Sequence, residues 1–237
     1  MAQLKFKRVI IKISGEALAC ENGAGIDHNK LAKVSEQIVE VKNMGAQVGV
    51  VIGGGNFWRG RQADEEMNRS TADHMGMLAT IINALALQDC IERKGAEVRV
   101  QTALTITKVA EPYILRKALR HLEKGRIVIF ACGTGNPYFS TDTGAALRAA
   151  EIGADALLLA KNVDGVYDSD PKLNPDAVKF DSLTYMQVIS KGLKAMDTTA
   201  ITMCMDNSIP IIAFSLNEEG SIKRAITGEK IGTYIGK

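Results

Sequence analysis

The chain alternates short runs of β-branched and other apolar residues with segments whose apolar residues recur every three to four positions. The first run, Val9–Ile13, is followed by a helical pattern that begins after Asp27, continues through Leu31–Val41 and ends at Gly45. Repeated strand–helix units require right-handed crossovers and place helices on both faces of a sheet. We therefore predict a three-layer α/β/α sandwich with a largely parallel central sheet, formed as a single domain over residues 1–237.

The same alternation continues to the last residues. Further strands are predicted at Val48–Ile52, Glu97–Val100, Ile127–Ala131, Ala156–Leu159, Ile209–Phe214 and Ile231–Ile235. Helices are predicted at Met75–Ile91, Pro112–Leu122, Thr143–Ile152, Thr184–Ile189, Thr199–Met205 and Ser221–Ile226. A polar segment from Asn162 to about Asp176 is long for a connection, and this length indicates a functional loop.

Composition narrows the classes of protein. Hydrophobic residues make up 46% and charged residues 24%, which excludes general disorder, and the net charge of +2 argues against a dedicated nucleic-acid binder. The four cysteines are scattered without a CxxC pair, as expected for reduced thiols. Because we find neither a signal-peptide pattern nor an apolar stretch approaching about 20 residues, we expect a cytoplasmic protein without a membrane segment.

Three predicted strands end in loops rich in glycine and small polar residues. These loops are Lys12–Glu16, Gly53–Asn56 with Arg59 just beyond it, and Gly133–Asn136. The carboxyl ends of parallel strands meet at one edge of the sheet, where ligands bind. Successive backbone N–H groups and helix N-termini in such loops attract anions. One loop of this kind is usually a plain turn, but three at one edge predict a site for several phosphates.

Well-known nucleotide and catalytic motifs are absent from the sequence. There is no GxxxxGK[ST], GxGxxG, HRD/DFG or GxSxG motif. The three histidines are scattered without an HExxH motif or a Cys/His cluster, so a zinc site is not predicted. These absences exclude the P-loop, protein-kinase and common esterase classes.

Charged residues flank the glycine loops. Lys12 and Arg59 are placed to hold phosphate oxygens, although a strand lysine can also reach solvent and Arg59 can be a solvated loop residue. Asp142 is predicted as the N-cap of a helix and as a carboxylate that could orient Lys12 or a magnesium-bound phosphate. Asp73 is a second cap candidate. The aspartates of the 162–176 segment are expected to be solvated or to form Asx turns.

Five segments resemble, in order, motifs of the bacterial UMP kinases, a branch of the amino acid kinase family. They are KISGEAL (Lys12–Leu18), GVVIGGGNFWRG (Gly49–Gly60), ADHMGMLAT (Ala72–Thr80), GTGNPYFSTD (Gly133–Asp142) and VDGVYDSDP (Val163–Pro171). The resemblance runs from the first predicted strand to the last. SGEAL and TGNPYFSTD favour this branch over the aspartate, glutamate, acetylglutamate and carbamate kinases.

The resemblance implies phosphorylation of UMP to UDP by MgATP in pyrimidine nucleotide biosynthesis, and the sequence itself shows no evident protein ligands for the Mg²⁺. It implies catalytic roles for Lys12 and Asp142. The implied ATP-binding residues are Lys12, Ile13, Ser14, Gly15, Gly55, Arg59, Asn162, Tyr167 and Asp170. The implied UMP-binding residues are Gly54, Asp73, Thr134, Gly135, Asn136, Pro137, Tyr138, Phe139, Ser140 and Thr141. A homohexamer, activation by GTP and inhibition by UTP are also implied, with Cys20–Gly25 matching a segment linked to GTP.

Elementary chemistry agrees with such a reaction. The second pKa of a nucleoside monophosphate is about 6, so at neutral pH the attacking oxygen is already anionic and no general base is required. The difficulty is the repulsion between two polyanions, which cations and amide donors relieve. A kinase for a small carboxylate or carbamate and a non-catalytic nucleotide sensor remain alternatives. The Met75–Ile91 helix is expected to be a core helix or a dimer face.

Overall fold

The computed structural model describes residues 3–59 and 66–237. Gly60, the last residue of the GVVIGGGNFWRG segment, lies outside the described residues. The strands are β1 (Arg8–Ile13), β2 (Gln47–Ile52), β3 (Val98–Thr102), β4 (Glu111–Pro112), β5 (Ile127–Ala131), β6 (Ala156–Lys161), β7 (Val166–Tyr167), β8 (Lys179–Phe180), β9 (Ser182–Thr184), β10 (Ile211–Ser215) and β11 (Thr233–Gly236). The helices are α1 (His28–Asn43), α2 (Arg69–Arg93), α3 (Leu115–Glu123), α4 (Thr141–Ile152), α5 (Tyr185–Ser190), α6 (Thr198–Asp206) and α7 (Ser221–Thr227).

Within the described residues, nine strands form one sheet in the order β4-β3-β5-β2-β1-β6-β10-β11-β9. Every neighbouring pair is parallel except β10 and β11. β7 and β8 form a separate antiparallel pair inside the region predicted as a long polar loop and just beyond it. The predicted α/β/α fold with a largely parallel sheet is confirmed.

The sheet is covered on both faces, which is why its central strands are almost continuously apolar. Ile11 points into a core that it shares with α1, α2 and α7. The preceding residue, Ile10, points to the opposite face of the sheet and packs with α3, α4 and α6. This alternation follows from the two-residue period of a strand. Both faces are therefore held by helices, and the functional groups are left to the strand ends.

Two predicted helix caps, Asp142 and Asp73, are not caps in the structure. α4 begins after Ser140, whose Oγ accepts from the N–H groups of Asp142 and Thr143, so Asp142 is not the N-cap but a first-turn residue. α2 begins after Asn68, which places Asp73 inside the helix rather than at its cap. Both corrections have one cause: several residues near each helix start have side chains able to cap, and the rule does not choose between them.

Other boundaries shift by a few residues. Pro112, predicted inside a helix, lies in the short edge strand β4, and α3 begins at Leu115. A proline has no N–H to donate, and an edge strand tolerates it. The strands predicted at Ile209–Phe214 and Ile231–Ile235 are β10 and β11, each displaced toward the carboxyl end.

α2 is the helix that bears on the membrane expectation. It has 25 residues, and an 18-residue window within it makes it long and apolar enough to cross a membrane by length and composition alone. The expectation that no apolar stretch approaches the length of a membrane helix is therefore wrong by these two criteria. About half of the window is buried, and Ala84, Leu87 and Ile91 pack in the core beneath the sheet. This packing accounts for the apolar character of one face of α2.

Candidate active site

The first two glycine loops touch at the carboxyl edge of the sheet. Gly53 donates its N–H to the carbonyl of Ile13 at 2.9 Å, which joins the ends of β2 and β1. A Cβ on Gly15 would lie 2.5 Å from Asn56 Oδ1, 2.7 Å from the Gly55 nitrogen and 2.8 Å from the Gly53 carbonyl oxygen. Only glycine fits this approach, and the contact brings the backbone amides of both loops to one place.

The glycine loop after β2 is held by a pair of buried asparagines. Asn83 on α2 donates to the Gly53 carbonyl at 2.7 Å and to Asn56 Oδ1 at 2.7 Å. Asn56 in turn donates to the carbonyl of Gly25 at 2.7 Å. Because side-chain groups satisfy these carbonyls, the loop is fixed before any ligand binds.

Lys12, the cation at the end of β1, pairs with a carboxylate. Its Nζ lies 2.7 Å from Asp142 Oδ1, and the two side chains are 12% and 21% exposed. Oδ1 is buried and, among the described residues, accepts no well-aligned hydrogen bond, so the Lys12 ammonium is the charge that balances it. The position of Asp142 in the first turn of α4 therefore orients Lys12 and leaves the rest of the ammonium available to an anion.

Asp197, which the sequence analysis did not identify, supports the ion pair between Lys12 and Asp142. Asp197 caps α6 through the N–H of Ala200, and it also accepts from the hydroxyls of Ser140 and Thr143. Asp197 thus joins α6 to the first turn of α4, on either side of Asp142. It stands more than fifty residues further along the chain, and no local motif marks it.

Arg59 has partners beside its own loop. Its terminal nitrogen lies 2.5 Å from Glu16 Oε1, and its Nε donates to the Gly55 carbonyl at 3.3 Å. Both side chains of the ion pair are about half exposed, so solvent screens the attraction. Arg59 is therefore free to exchange Glu16 for a phosphate, and Glu16 is a second neighbour that the sequence analysis did not identify.

A cavity of about 270 Å³ opens between the ends of β2, β5 and the start of α4. The predicted UMP residues on its wall are Gly54, Asp73, Thr134, Asn136, Phe139, Ser140 and Thr141. Gly135, Pro137 and Tyr138 belong to the same loop but are not among the lining residues. Gly55, predicted to contact ATP, also lines this cavity, as do Trp58, Thr80 and Cys132, which the sequence analysis did not single out.

The wall of this cavity is formed by tight local contacts. A Cβ on Gly54 would lie 2.7 Å from Ala79 Cβ and 2.9 Å from the Gly76 carbonyl oxygen, so α2 approaches the loop closely. Cys132 has φ of 66°, the left-handed region that favours glycine. Its N–H donates to the Thr80 hydroxyl at 2.8 Å, which holds the strained backbone at the exit of β5.

Asp73 lies at the mouth of the same cavity. Its Oδ2 accepts the N–H of Tyr138 at 2.8 Å, and its carboxylate pairs with Arg69 at 3.0 Å one turn earlier on α2. Tyr138 has φ of 72°, so the Asp73 contact stabilises an unfavourable backbone conformation. Asp73 therefore fixes the middle of the 134–141 loop to α2.

A second cavity, of about 420 Å³, lies beyond β6 and is lined by the segment predicted to hold ATP. Tyr167 and Asp170 line it, whereas Asn162 is exposed and lies off its wall; the neighbouring Lys161 lines it instead. Asp170 accepts the N–H of Lys172 at 3.0 Å in an Asx turn, as expected for a loop aspartate.

Tyr167 is oriented by its neighbours in the same wall. Its hydroxyl donates to Asp164 Oδ1 at 2.6 Å, and Lys179 donates to Oδ2 at 2.9 Å. These two hydrogen bonds lower the pKa of Asp164 below its usual value, with the tyrosine hydroxyl the larger cause. The ring of Tyr167 is thereby held in a fixed position beside the cavity.

Two predicted ATP residues, Ile13 and Ser14, directly follow Lys12. Ile13 is completely buried, so its side chain belongs to the core, and its carbonyl is bonded to Gly53. Ser14 precedes the 3₁₀ turn Gly15–Leu18, and its side chain makes no capping hydrogen bond. Lys12 and the glycine loops are therefore the groups of this segment that offer charge and amides.

In residues 3–59 and 66–237, no three His, Cys, Asp or Glu side chains cluster in a way that could hold a metal ion. A divalent cation at this edge would thus be held chiefly by phosphate oxygens and water, the ligands that Mg²⁺ keeps most readily.

The family follows from comparison with known proteins. A model of the amino acid kinase family matches residues 7–215, and the chain belongs to this family. It is similar to the solved UMP kinase of Bacillus anthracis, with 41% identity and a TM-score of 0.94 over 98% of this chain and 96% of that one. The UMP kinase of Ureaplasma parvum is 38% identical, with a TM-score of 0.92 over 99% of this chain and 100% of that one.

A more distant relative has the same architecture. The uridylate kinase of Archaeoglobus fulgidus is 30% identical, with a TM-score of 0.75 over 96% of this chain and 99% of that one. The predicted resemblance to the bacterial UMP kinases and the predicted fold are therefore both confirmed.

Proposed function

We propose that this chain transfers the γ-phosphoryl group of MgATP to UMP, giving ADP and UDP. The observation that carries the proposal is the order of features along the sheet edge. Lys12 ends β1, which lies between β2 and β6. The 270 Å³ cavity adjoins the end of β2, and the 420 Å³ cavity adjoins the end of β6. A cation thus stands between two nucleotide-sized cavities.

The two cavities are assigned by their walls. We assign the acceptor, UMP, to the cavity bounded by Gly54, Asp73 and the 134–141 loop, and the donor, ATP, to the cavity bounded by Tyr167 and Asp170. The phosphates of both then meet at Lys12 and the amides of the glycine loops. The names of the two bacterial relatives agree with this choice of acceptor, and the family supplies the kinase chemistry.

The reaction needs charge neutralisation rather than proton removal. An oxygen of the UMP phosphate attacks the γ-phosphorus as the bond from that phosphorus to the β,γ-bridging oxygen breaks, and ADP leaves with the electron pair. Lys12 and Arg59 balance the charge that is spread over the transferring group, and Asp142 keeps Lys12 in place. Mg²⁺ enters with ATP as part of the substrate.

The direct test is ADP release measured with UMP, CMP, AMP, glutamate and carbamate as acceptors. We expect rapid turnover with UMP, and turnover with glutamate or carbamate but not UMP would contradict the proposal. In Lys12→Met we expect kcat to fall about 100- to 1,000-fold, the scale seen when one transition-state donor is removed, while calorimetry still detects UMP. UMP binding without turnover in the unmodified protein would favour a nucleotide sensor instead.

Assembly is a further part of the proposal. The outward face of α2 carries three apolar side chains at helical spacing, Leu78, Ile82 and Leu85, each at least 36% exposed. We propose that this face meets a second copy within a homohexamer. Light scattering after size exclusion tests this: a hexamer is expected, Ile82→Lys should reduce the mass, and a monomer at micromolar concentration would contradict the proposal.

Regulation, cellular location and domain extent are the remaining parts of the proposed function. We propose activation by GTP and inhibition by UTP, with Cys20–Gly25 as the GTP-linked segment. This segment is bonded to Asn56 in the loop after β2, since Gly25 donates to the Asn56 carbonyl at 3.1 Å and accepts from its side chain. We further propose a cytoplasmic enzyme of pyrimidine nucleotide biosynthesis whose residues 1–237 form one domain. Turnover that is insensitive to GTP and UTP would contradict the regulatory part.

A further inference from the structure

Lys161 is a cation at the end of β6, and it directly precedes Asn162, a residue that the resemblance implies for ATP binding. It lies next to β10 through its pairing with Ser215, and the residue before it, Ala160, pairs with Ile13 at the end of β1. The side chain therefore emerges at the same edge of the sheet as Lys12, one strand away. Lys161 is one of the residues that line the 420 Å³ cavity that we assign to the donor.

The ammonium of Lys161 is held by main-chain carbonyls instead of a carboxylate. Nζ donates to the carbonyl of Lys194 at 3.1 Å and to that of Ala195. Among the described residues, no carboxylate lies within ion-pair distance of it. An ammonium has three N–H donors. Two of them are used by these carbonyls, so one remains for another acceptor.

The charges around this ammonium do not balance it. Burial lowers the pKa of Lys161; Asp142 opposes this effect and Lys12 adds to it. Asp142 is already paired with Lys12 at 2.7 Å, so three charged groups leave one net positive charge at this edge. A partly buried cation without a counter-ion is costly, and an anionic ligand would remove that cost.

A purely structural role would also use these contacts. Lys161 joins the end of β6 to the segment that contains Lys194 and Ala195, which leads directly to Asp197 at the start of α6. Two carbonyl acceptors would be satisfied equally well by an uncharged donor. The ammonium additionally offers a positive charge and a third N–H, to which a negative group can bind.

We propose that Lys161 is a second phosphate-binding cation for the donor nucleotide, which contacts the phosphates from the β6 side while Lys12 contacts them from the end of β1. The inference rests on the proposed function, because it takes the 420 Å³ cavity as the donor site. In this arrangement the phosphate chain leaves the cavity past Lys161 and reaches Lys12 at the transferring group.

The test compares ligands that differ only in phosphate. Lys161→Gln removes the charge but keeps an N–H donor for the carbonyls, and Lys161→Met removes both. Lys33→Met removes the same charge from the exposed face of α1 and serves as the control. Binding of ADP and of adenosine is measured by calorimetry, both in the presence of Mg²⁺. In Lys161→Gln we expect the affinity for ADP to weaken about tenfold or more and the affinity for adenosine to stay unchanged. Lys161→Arg should recover the affinity for ADP.

The outcomes separate this inference from the proposed function. Equal weakening of ADP and adenosine, or unchanged ADP affinity in Lys161→Gln, would overturn the role of Lys161 while leaving UMP phosphorylation intact. Failure of the unmodified protein to bind ADP or to phosphorylate UMP would instead contradict the proposed function. Should the variants fold poorly, acetic anhydride labelling of the unmodified protein gives the answer: ADP should protect Lys161 and adenosine should not, and equal labelling would overturn the inference.

Discussion

Replacing Gly15 by alanine tests whether the close approach of the first two glycine loops builds the site. The new Cβ would lie 2.5 Å from Asn56 Oδ1, 2.7 Å from the Gly55 nitrogen and 2.8 Å from the Gly53 carbonyl oxygen. These distances are well below van der Waals contact, and two of the three atoms belong to the backbone of the neighbouring loop. The loops must therefore separate, and overpacking of this kind costs about 1 to 3 kcal/mol.

Both stability and catalysis should change in Gly15→Ala. For a chain of this length, that cost corresponds to a fall of roughly 2 to 12 °C in Tm, which differential scanning calorimetry measures. Separation of the loops by about 1 Å would displace Lys12 from the transferring group, and we expect kcat to fall about 100-fold. ADP release with UMP as the acceptor measures this.

Gly76→Ala is the matched control for stability. It lies within α2, where the added methyl group meets Trp58 at an ordinary 3.8 Å, so the change should stabilise the helix by about 1 kcal/mol. The reasoning would be refuted if Gly15→Ala were as stable and as active as the unmodified protein, because the loops would then have room that the structure does not show.

Three other substitutions test separate parts of the site. Asp142→Asn keeps the shape of the side chain but removes the counter-charge of Lys12, and we expect kcat to fall about 100-fold with little change in UMP affinity. Gly54→Ala places a Cβ 2.9 Å from the Gly76 carbonyl oxygen, so KM for UMP should rise about tenfold or more while KM for ATP stays near its original value. The pKa of Asp164 is lower in the folded protein than its unfolded value of 3.8. The stability that its carboxylate contributes is therefore present above pH 3.8 and is lost as the pH falls through the lower folded pKa. Asp164→Asn should accordingly reduce the urea midpoint of unfolding at neutral pH and not at about pH 2.

Each of these has an outcome that contradicts it. Unchanged kcat in Asp142→Asn would mean that the ion pair does not position Lys12. Equal rises in both KM values in Gly54→Ala would indicate general damage rather than a narrowed acceptor cavity. A difference between Asp164→Asn and the unmodified protein that persists in acid would assign the effect to a group other than this carboxylate.

The fold was largely predictable because its central strands are buried on both faces. Such strands appear as short apolar runs, and the helices between them carry the three-to-four-residue period of one buried face. The β7–β8 pair was missed because its two strands have two residues each and lie in or next to a polar segment. Short strands of this kind leave no periodic signal.

The site was predictable where it is local in sequence. The three glycine loops, Lys12 and the 134–141 loop are continuous segments, and their residue types suit phosphate binding. Asp197 was not found, since it reaches the start of α4 only through the packing of α6. For Lys161 the sequence offered only its place beside Asn162, since the tertiary structure alone brings two carbonyls to its Nζ.

Helix caps illustrate the same limit. Ser140, Asp142 and Thr143 are all able to cap; Ser140 caps the helix, and Asp142 lies in the first turn, where it pairs with Lys12. Local rules name the candidates, and the choice among them involves contacts with residues distant in sequence, such as Lys12 and Asp197.

The most direct measurement is a crystal structure of the protein with UMP and a non-hydrolysable ATP analogue bound together. We expect the UMP phosphate beside Lys12 and the 134–141 loop, the adenine beside Tyr167, and the terminal phosphate of the analogue in line between them. UMP bound beside Tyr167, or either phosphate out of reach of Lys12, would contradict the account.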